Sequence, residues 1–277
     1  MAIPILQSWR KYYDNPHEGL GSSYERVILN RKLQQLQQQY QFKSVLEAPS
    51  FGFTGLSGIN SVALAQAGCS VTICDHDAER IEKIRNTWNE LQVPLQADVL
   101  ASYSHLPYAD NQFDMSWNFS ALWFTESLFD FLYEFTRVTR NVIFLCVPNR
   151  SGIGYLSQKY QGKEDLAKYL HESHIIPSNI KATMKRLGWK CIDQAFIDCP
   201  PWPDIGMLKE DFLGKIGIKV TPKNTVEKEV TILNYYKGLE PDFEDRMLSY
   251  AILEKYAPAI WKKIWAHHRY FLFVPVK

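Results

Sequence analysis

From residue 44 onward, short apolar runs rich in β-branched residues alternate with stretches of helical periodicity. This alternation constrains the fold more than any other feature of the chain. Runs at 44–48, 69–75, 93–98, 112–118 and 141–149 read as strands, and 60–67, 78–91 and 127–140 as helices between them. The fifth run, NVIFLCVPN, is apolar throughout, as expected of a central strand covered on both faces. Strand–helix alternation of this kind implies a parallel sheet with right-handed crossovers. Two further strands are expected at 189–198 and 267–277, with a helix before the sixth for which Ser178 is the expected N-cap.

The two ends of this pattern carry extra material. Val27, Ile28, Leu33, Leu36 and Tyr40 share one helical face, with Ser22 or Ser23 as the expected cap and Glu25 in the first turn. The glutamines of this stretch then form a solvated face. Between the last two strands lies a segment, 199–266, that a plain α/β sheet does not require. It is rich in Trp, Tyr and Phe, and 242–265 reads as helical with a break at Pro258. The expected division is a helical lid segment at 1–42, an α/β domain at 43–198 and 267–277, and an inserted cap at 199–266.

Composition narrows the class of function. With 31 Lys plus Arg against 30 Asp plus Glu, the chain lacks the strongly basic balance of a nucleic-acid-binding domain. The longest apolar run, VIFLCVP, falls far short of the ~18 residues of a membrane span. Cys69, Cys74, Cys146, Cys191 and Cys199 form no C-x-x-C pair, so free thiols and a cytoplasmic setting are expected.

Acidic residues at successive strand ends carry the chemistry. The first strand closes on Glu47, and a turn with Gly52, Gly55 and Gly58 follows. Glycine permits positive φ and close ligand approach there, and the next helix exposes backbone N–H groups. The second strand ends in Asp75, suited to ribose hydroxyls. The third ends in Asp98, suited to an adenine amino group. Any one of these acids could instead cap a helix, as could Asp77.

The segments V-L-E-A-P-S-F-G-F-T-G, V-T-I-C-D, Q-A-D-V-L and L-P-Y-A-D-N-Q-F-D-M-S-W-N resemble a class I S-adenosylmethionine-dependent methyltransferase of the type 11 kind. The resemblance covers about residues 43–150 and, weakly, the last two strands. It implies a Rossmann-like seven-stranded fold, mainly parallel with an antiparallel last strand, and S-adenosylmethionine as cofactor. It also implies roles for Glu47 and the Gly52–Gly58 turn at the methionine end, Asp75 at the ribose, and Asp98 with Val99 at adenine. Asn118 and the residues after it would line the methionine and substrate side. Pro49 and Phe51 stand where the family has its first two glycines, and the turn is about five residues longer than usual. The later glycines could serve in a shifted loop, or the loop could have lost the cofactor. A nicotinamide enzyme is disfavoured because G-x-G-x-x-G spacing is absent.

No acid–base constellation stands out. His105, just before L-P-Y, is the candidate substrate-side base. His171 and His174 read as surface polar groups rather than a metal half-site, and no metal ligands are assigned. The expected activity is methyl transfer to a small-molecule or lipid-like acceptor. Trp202, Tyr235 and Tyr236 of the insertion would line an apolar pocket with Trp117 and Trp123, and Tyr12, Tyr13 and Tyr24 would complete a lid. The alternative is a non-catalytic binding module on a degenerate form of the same fold. A homodimer is one option for the assembly.

Overall fold

The computed structural model describes residues 9–161, 170–202 and 232–276. In chain order the elements are α1 (Arg10–Asp14), α2 (Gly19–Tyr40), β1 (Ser44–Glu47), α3 (Val62–Gln66), β2 (Ser70–Asp75), α4 (Ala78–Glu90) and β3 (Gln96–Val99). There follow β4 (Phe113–Phe119), a 3₁₀ turn at Leu122–Phe124, α5 (Leu128–Val138), β5 (Thr139–Pro148) and α6 (Ile153–Gln161). The chain continues through a 3₁₀ turn at Glu172–Ile175, α7 (Pro177–Arg186) and β6 (Trp189–Ile197). The last elements are α8 (Ile232–Tyr236), α9 (Phe243–Leu248), α10 (Ile252–Tyr256), α11 (Ala259–Trp265) and β7 (His268–Pro275).

One seven-stranded sheet runs in the order β3-β2-β1-β4-β5-β7-β6. The β1–β2, β1–β4, β2–β3 and β4–β5 pairs are parallel, and β7 is antiparallel to both β5 and β6. The order reverses between β1 and β4, which opens a crevice beyond the carboxyl ends of the strands. The expected sheet, with its antiparallel last strand, is the one observed.

Period-two alternation divides the core. In β5, Val142, Phe144 and Cys146 join α2, α3 and α4 on one face, while Ile143, Leu145 and Val147 join α5 and α7 on the other. The α2 face is closed by Val27, Leu29, Leu33 and Leu36, all almost fully buried. Four of the five thiols are buried and all five are unpaired.

Several boundaries differ from expectation. Helix α2 begins at Gly19, three residues before the serines, and no side chain caps it. Helix α7 starts on Pro177, whose fixed φ suits the first turn, so Ser178 lies inside it rather than at its cap. Asp77 does cap α4, accepting from Arg80 N at 3.1 Å. The helical stretch before β7 breaks at 249–251 as well as at Pro258, giving three short helices.

Candidate functional site

The β1 acid is turned inward. Glu47 is buried and accepts from Ser61 Oγ at 2.6 Å and Asn60 Nδ2 at 3.3 Å. Burial pushes its carboxyl up to about 7, against the opposing effect of those hydrogen bonds. Ser61 Oγ also accepts from Trp117 Nε1 at 3.1 Å. The β1 end, the start of α3 and the β4 tryptophan are thereby one network.

The Gly-rich turn is held by the N-terminal helix. Arg26 is fully buried, bonds Glu18, and donates to Asn60 Oδ1 at 2.6 Å and to the Leu56 carbonyl at 3.0 Å. Glu18 Oε1 in turn accepts from Leu56 N at 2.7 Å, and Tyr13 donates to the Ser57 carbonyl. A Cβ on Gly52 would lie 1.8 Å from the Phe119 carbonyl oxygen, so the turn abuts the end of β4 directly. Gly58 has φ +71°, a conformation that only glycine adopts cheaply. These glycines therefore admit protein atoms, where the sequence reading had them admit a ligand.

Asp75 is likewise engaged from within. It is fully buried, accepts from Ser50 Oγ at 2.7 Å and Asp77 N at 2.9 Å, and takes Arg80 Nη1 on both oxygens at 3.0 and 3.1 Å. The Arg80 guanidinium lies between two rings, 4.8 Å from Trp9 and 5.0 Å from Phe51. Phe51 is itself buried and meets His76 edge-on. Asp98 accepts from Tyr108 Oη at 2.7 Å and Gln96 Nε2 at 2.9 Å, beside a half-exposed Val99.

Beyond β2, β3 and β4 opens a cleft of about 320 Å³, lined in part by Phe51, His76, Tyr103, Phe124 and Thr125. This volume lies at the lower end of the ~300–1,000 Å³ usual for small-molecule sites. The second and third strands end beside the cleft, but their register, Asp75↔Val99 and Cys74↔Asp98, turns the Asp75 and Asp98 side chains to opposite faces of the sheet, and neither lines the cleft.

The other candidate residues are dispersed. Asn118 is buried, donating to the Ala48 carbonyl and accepting from Ala121 N, which ties the β1 and β4 loops together. His105 has its side chain 86% exposed and points toward Glu134 on α5, apart from the cleft lining. Trp117 belongs to the core on the α2 face and Trp123 to the core on the other, so the two do not share a pocket. Trp202 and Tyr24 meet at 5.6 Å in the α2-face core. In that core Tyr236 bonds Asn30, while Tyr235 reaches Glu244. Tyr12 and Tyr13 pack at its margin.

Sequence reasoning did not find Arg80 and Ser50 as the partners of Asp75. The signal was present, since Arg80 follows the strand end by five positions, in the first turn of the next helix. It also missed the grouping of Glu25, Asp198 and His268 at the opposite side of the switch point.

A family described as a methyltransferase domain matches residues 53–145. No curated protein matches the chain. Among solved structures, the chain is similar to a putative sarcosine dimethylglycine methyltransferase from Galdieria sulphuraria, at 13% identity and TM-score 0.54, covering 88% of this chain and 84% of that one. The chain is also similar, at 12% identity and TM-score 0.54, to a complex between the Haloferax volcanii Trm112 methyltransferase activator and a putative methyltransferase. That match covers 97% of this chain and 98% of the other. The [4+2]-cyclase SpnF matches at 12% identity and TM-score 0.52, over 90% and 81% of the two chains. Likeness at these identities concerns the fold, and the cyclase illustrates that this fold hosts more than one chemistry.

Proposed function

We propose that this chain is a class I S-adenosylmethionine-dependent methyltransferase that transfers a methyl group to a small-molecule or lipid-like acceptor, a reading supported by the matched methyltransferase domain and the sheet order. The observation that carries the reading is the cleft beyond the carboxyl ends of β2, β3 and β4, lined by residues of the loops that follow those strands. When bound, the cofactor supplies a methyl group already activated on a sulfonium.

The residues meet the two ends of that cofactor differently. At the adenine end, the rings of His76, Tyr103 and Phe124 suit a flat aromatic base, while the half-exposed Val99 lies outside that lining. At the ribose and methionine end the side chains do not fit the cofactor as they stand. Asp75 has no exposed surface, Phe51 fills the space beside it, and Gly52 leaves no gap against β4. Binding the whole molecule requires Ser50 and Arg80 to release Asp75 and Phe51 to move outward.

In this reading residues 43–198 and 267–277 form the cofactor domain, 1–42 a lid segment and 199–266 the acceptor cap. The grip of Arg26 and Glu18 on the Gly-rich turn supports the first division. The packing of α8 and α9 on α2, with Tyr236 bonded to Asn30, supports the nearness of the cap to that turn. Glu47, Gly55, Gly58 and Asn118 would hold the turn and the β4 loop in place rather than touch the ligand. Unpaired thiols agree with a cytoplasmic setting. Among the described residues no helix is long and apolar enough to cross a membrane.

The second reading is a non-catalytic module on the same fold, favoured by the saturation of Asp75 by Arg80 and Ser50. Calorimetry with S-adenosylhomocysteine separates the two. The methyltransferase reading expects measurable binding, weakened about ten-fold or more in Asp75→Ala, since a charge-assisted hydrogen bond contributes ~1.5–3 kcal/mol. Absence of heat at millimolar ligand, with the protein folded by circular dichroism, would remove the enzyme and leave the module.

A further inference from the structure

Across the switch point from the cleft, three elements bring titratable side chains into one buried cluster. Glu25 comes from α2, Asp198 from the residue after β6, and His268 from the first position of β7. All three residues are buried, and one ligand atom from each lies within 4.8 Å of the others. His268 Nδ1 is 3.0 Å from Glu25 Oε1 and 3.3 Å from Asp198 Oδ2. His267 Nδ1 approaches the same Asp198 oxygen at 2.8 Å. We propose that Glu25, Asp198 and His268 form a binding site for a divalent transition-metal cation.

Three observations converge on a cation. First, the spacing suits metal ligands. Donors at about 2.1 Å from a tetrahedral ion lie roughly 3.4 Å apart, close to the two separations at His268. Second, two carboxylate oxygens from different elements converge on one imidazole nitrogen, so all three donor atoms face a common point. Third, Asp198 Oδ1 is buried with no hydrogen-bond partner among the described residues, as is the Tyr24 hydroxyl. A buried carboxylate oxygen without a donor is costly unless a cation is bound to it. Glu254 adds a third carboxylate within electrostatic reach of Asp198.

The donor set decides the class of ion. One imidazole and two carboxylates suit Zn²⁺ or Mn²⁺ better than a soft, thiolate-preferring metal. His267 holds the Asp198 carboxylate in place from outside the ligand set, the usual role of a residue bonded to a ligand. The site adjoins the end of β4, where the Phe119 ring lies 4.7 Å from that of His268. It stands on its own geometry, whether or not the cleft binds S-adenosylmethionine.

The test uses the full chain, stripped with EDTA and dialysed, with Zn²⁺ and Mn²⁺ as separate titrants. The expected result is one equivalent bound per chain and a raised melting temperature that EDTA reverses. His268→Gln and Asp198→Asn should each weaken binding about ten-fold or more, the lower bound for disturbing even an outer-shell partner. The thermal shift of the unsubstituted protein needs no variant, so it decides the matter even where a variant fails to fold. A His171→Gln, His174→Gln double variant controls for the stacked histidine pair, whose rings lie 4.8 Å apart. No binding to the unsubstituted chain overturns the proposal. Binding that is lost only in the double variant overturns it as well, because the metal then sits at the other pair.

Discussion

At the residue scale, the pairing of Asp75 with Arg80 is the contact that most affects what the cleft can do. Both side chains are nearly fully buried. Removing one partner of such a pair leaves an uncompensated charge, at a cost of about 3–5 kcal/mol. Arg80→Ala should therefore destabilise the ligand-free protein by about that much in urea denaturation. It also removes the group competing for Asp75, so S-adenosylhomocysteine should stabilise this variant more than the unsubstituted chain. An equal ligand shift in both would mean that Arg80 does not guard the carboxylate. Glu47 gives a second residue-scale prediction. Its carboxyl is raised from 4.5 to about 7 by burial, so between those values the folded chain keeps a proton that the unfolded chain releases. Stability contributed by this group is present below the unfolded value and is lost as pH rises through the window. Glu47→Gln abolishes that loss. The variant should gain on the unsubstituted protein by on the order of 3 kcal/mol between pH 4.5 and 7. A difference in stability that stays flat with pH would show that Glu47 is ionised throughout.

At the scale of elements, the turn between β1 and α3 is a packing device as well as a candidate ligand loop. Gly52→Ala puts a methyl group into the backbone of the β4 loop, at 1.8 Å from an oxygen that cannot give way locally. The expected loss is about 4 kcal/mol or more, in the exceptional range for a single substitution. Gly68→Ala is the matched control. It has a φ of +90° but open space around it, so only the left-handed backbone cost of ~1–2 kcal/mol applies. Comparable losses at both sites, read from denaturation midpoints, would contradict the packing account. The same turn shows what a sequence can and cannot convey. Its glycines mark a need for close approach, but not whether ligand or backbone does the approaching. Strand ends were legible because β-branched runs stop at acids, as at Asp75. The caps of α2 and α7 were misplaced because packing of Val27 and Leu33, and the proline at 177, outweighed the nearby serines.

At the scale of the molecule, the sheet order and its switch point followed from strand–helix alternation, because each crossover is local in sequence. What remained hidden depends on elements far apart in the chain. Glu25, Asp198 and His268 meet only because α2 lies across the ends of β6 and β7. Trp117 and Trp123, close in sequence, end on opposite faces because one lies in β4 and the other in the turn after it. The central claim is that S-adenosylmethionine binds in the cleft beyond the carboxyl ends of β2 and β3 and displaces the chain's own side chains from Asp75. Amide hydrogen exchange with and without S-adenosylhomocysteine tests it most directly. The account predicts slower exchange at 98–104 on binding, together with a change at 49–53 as the turn gives up its contacts. Unaltered exchange in both segments at saturating ligand, or protection confined to another part of the chain, would contradict it.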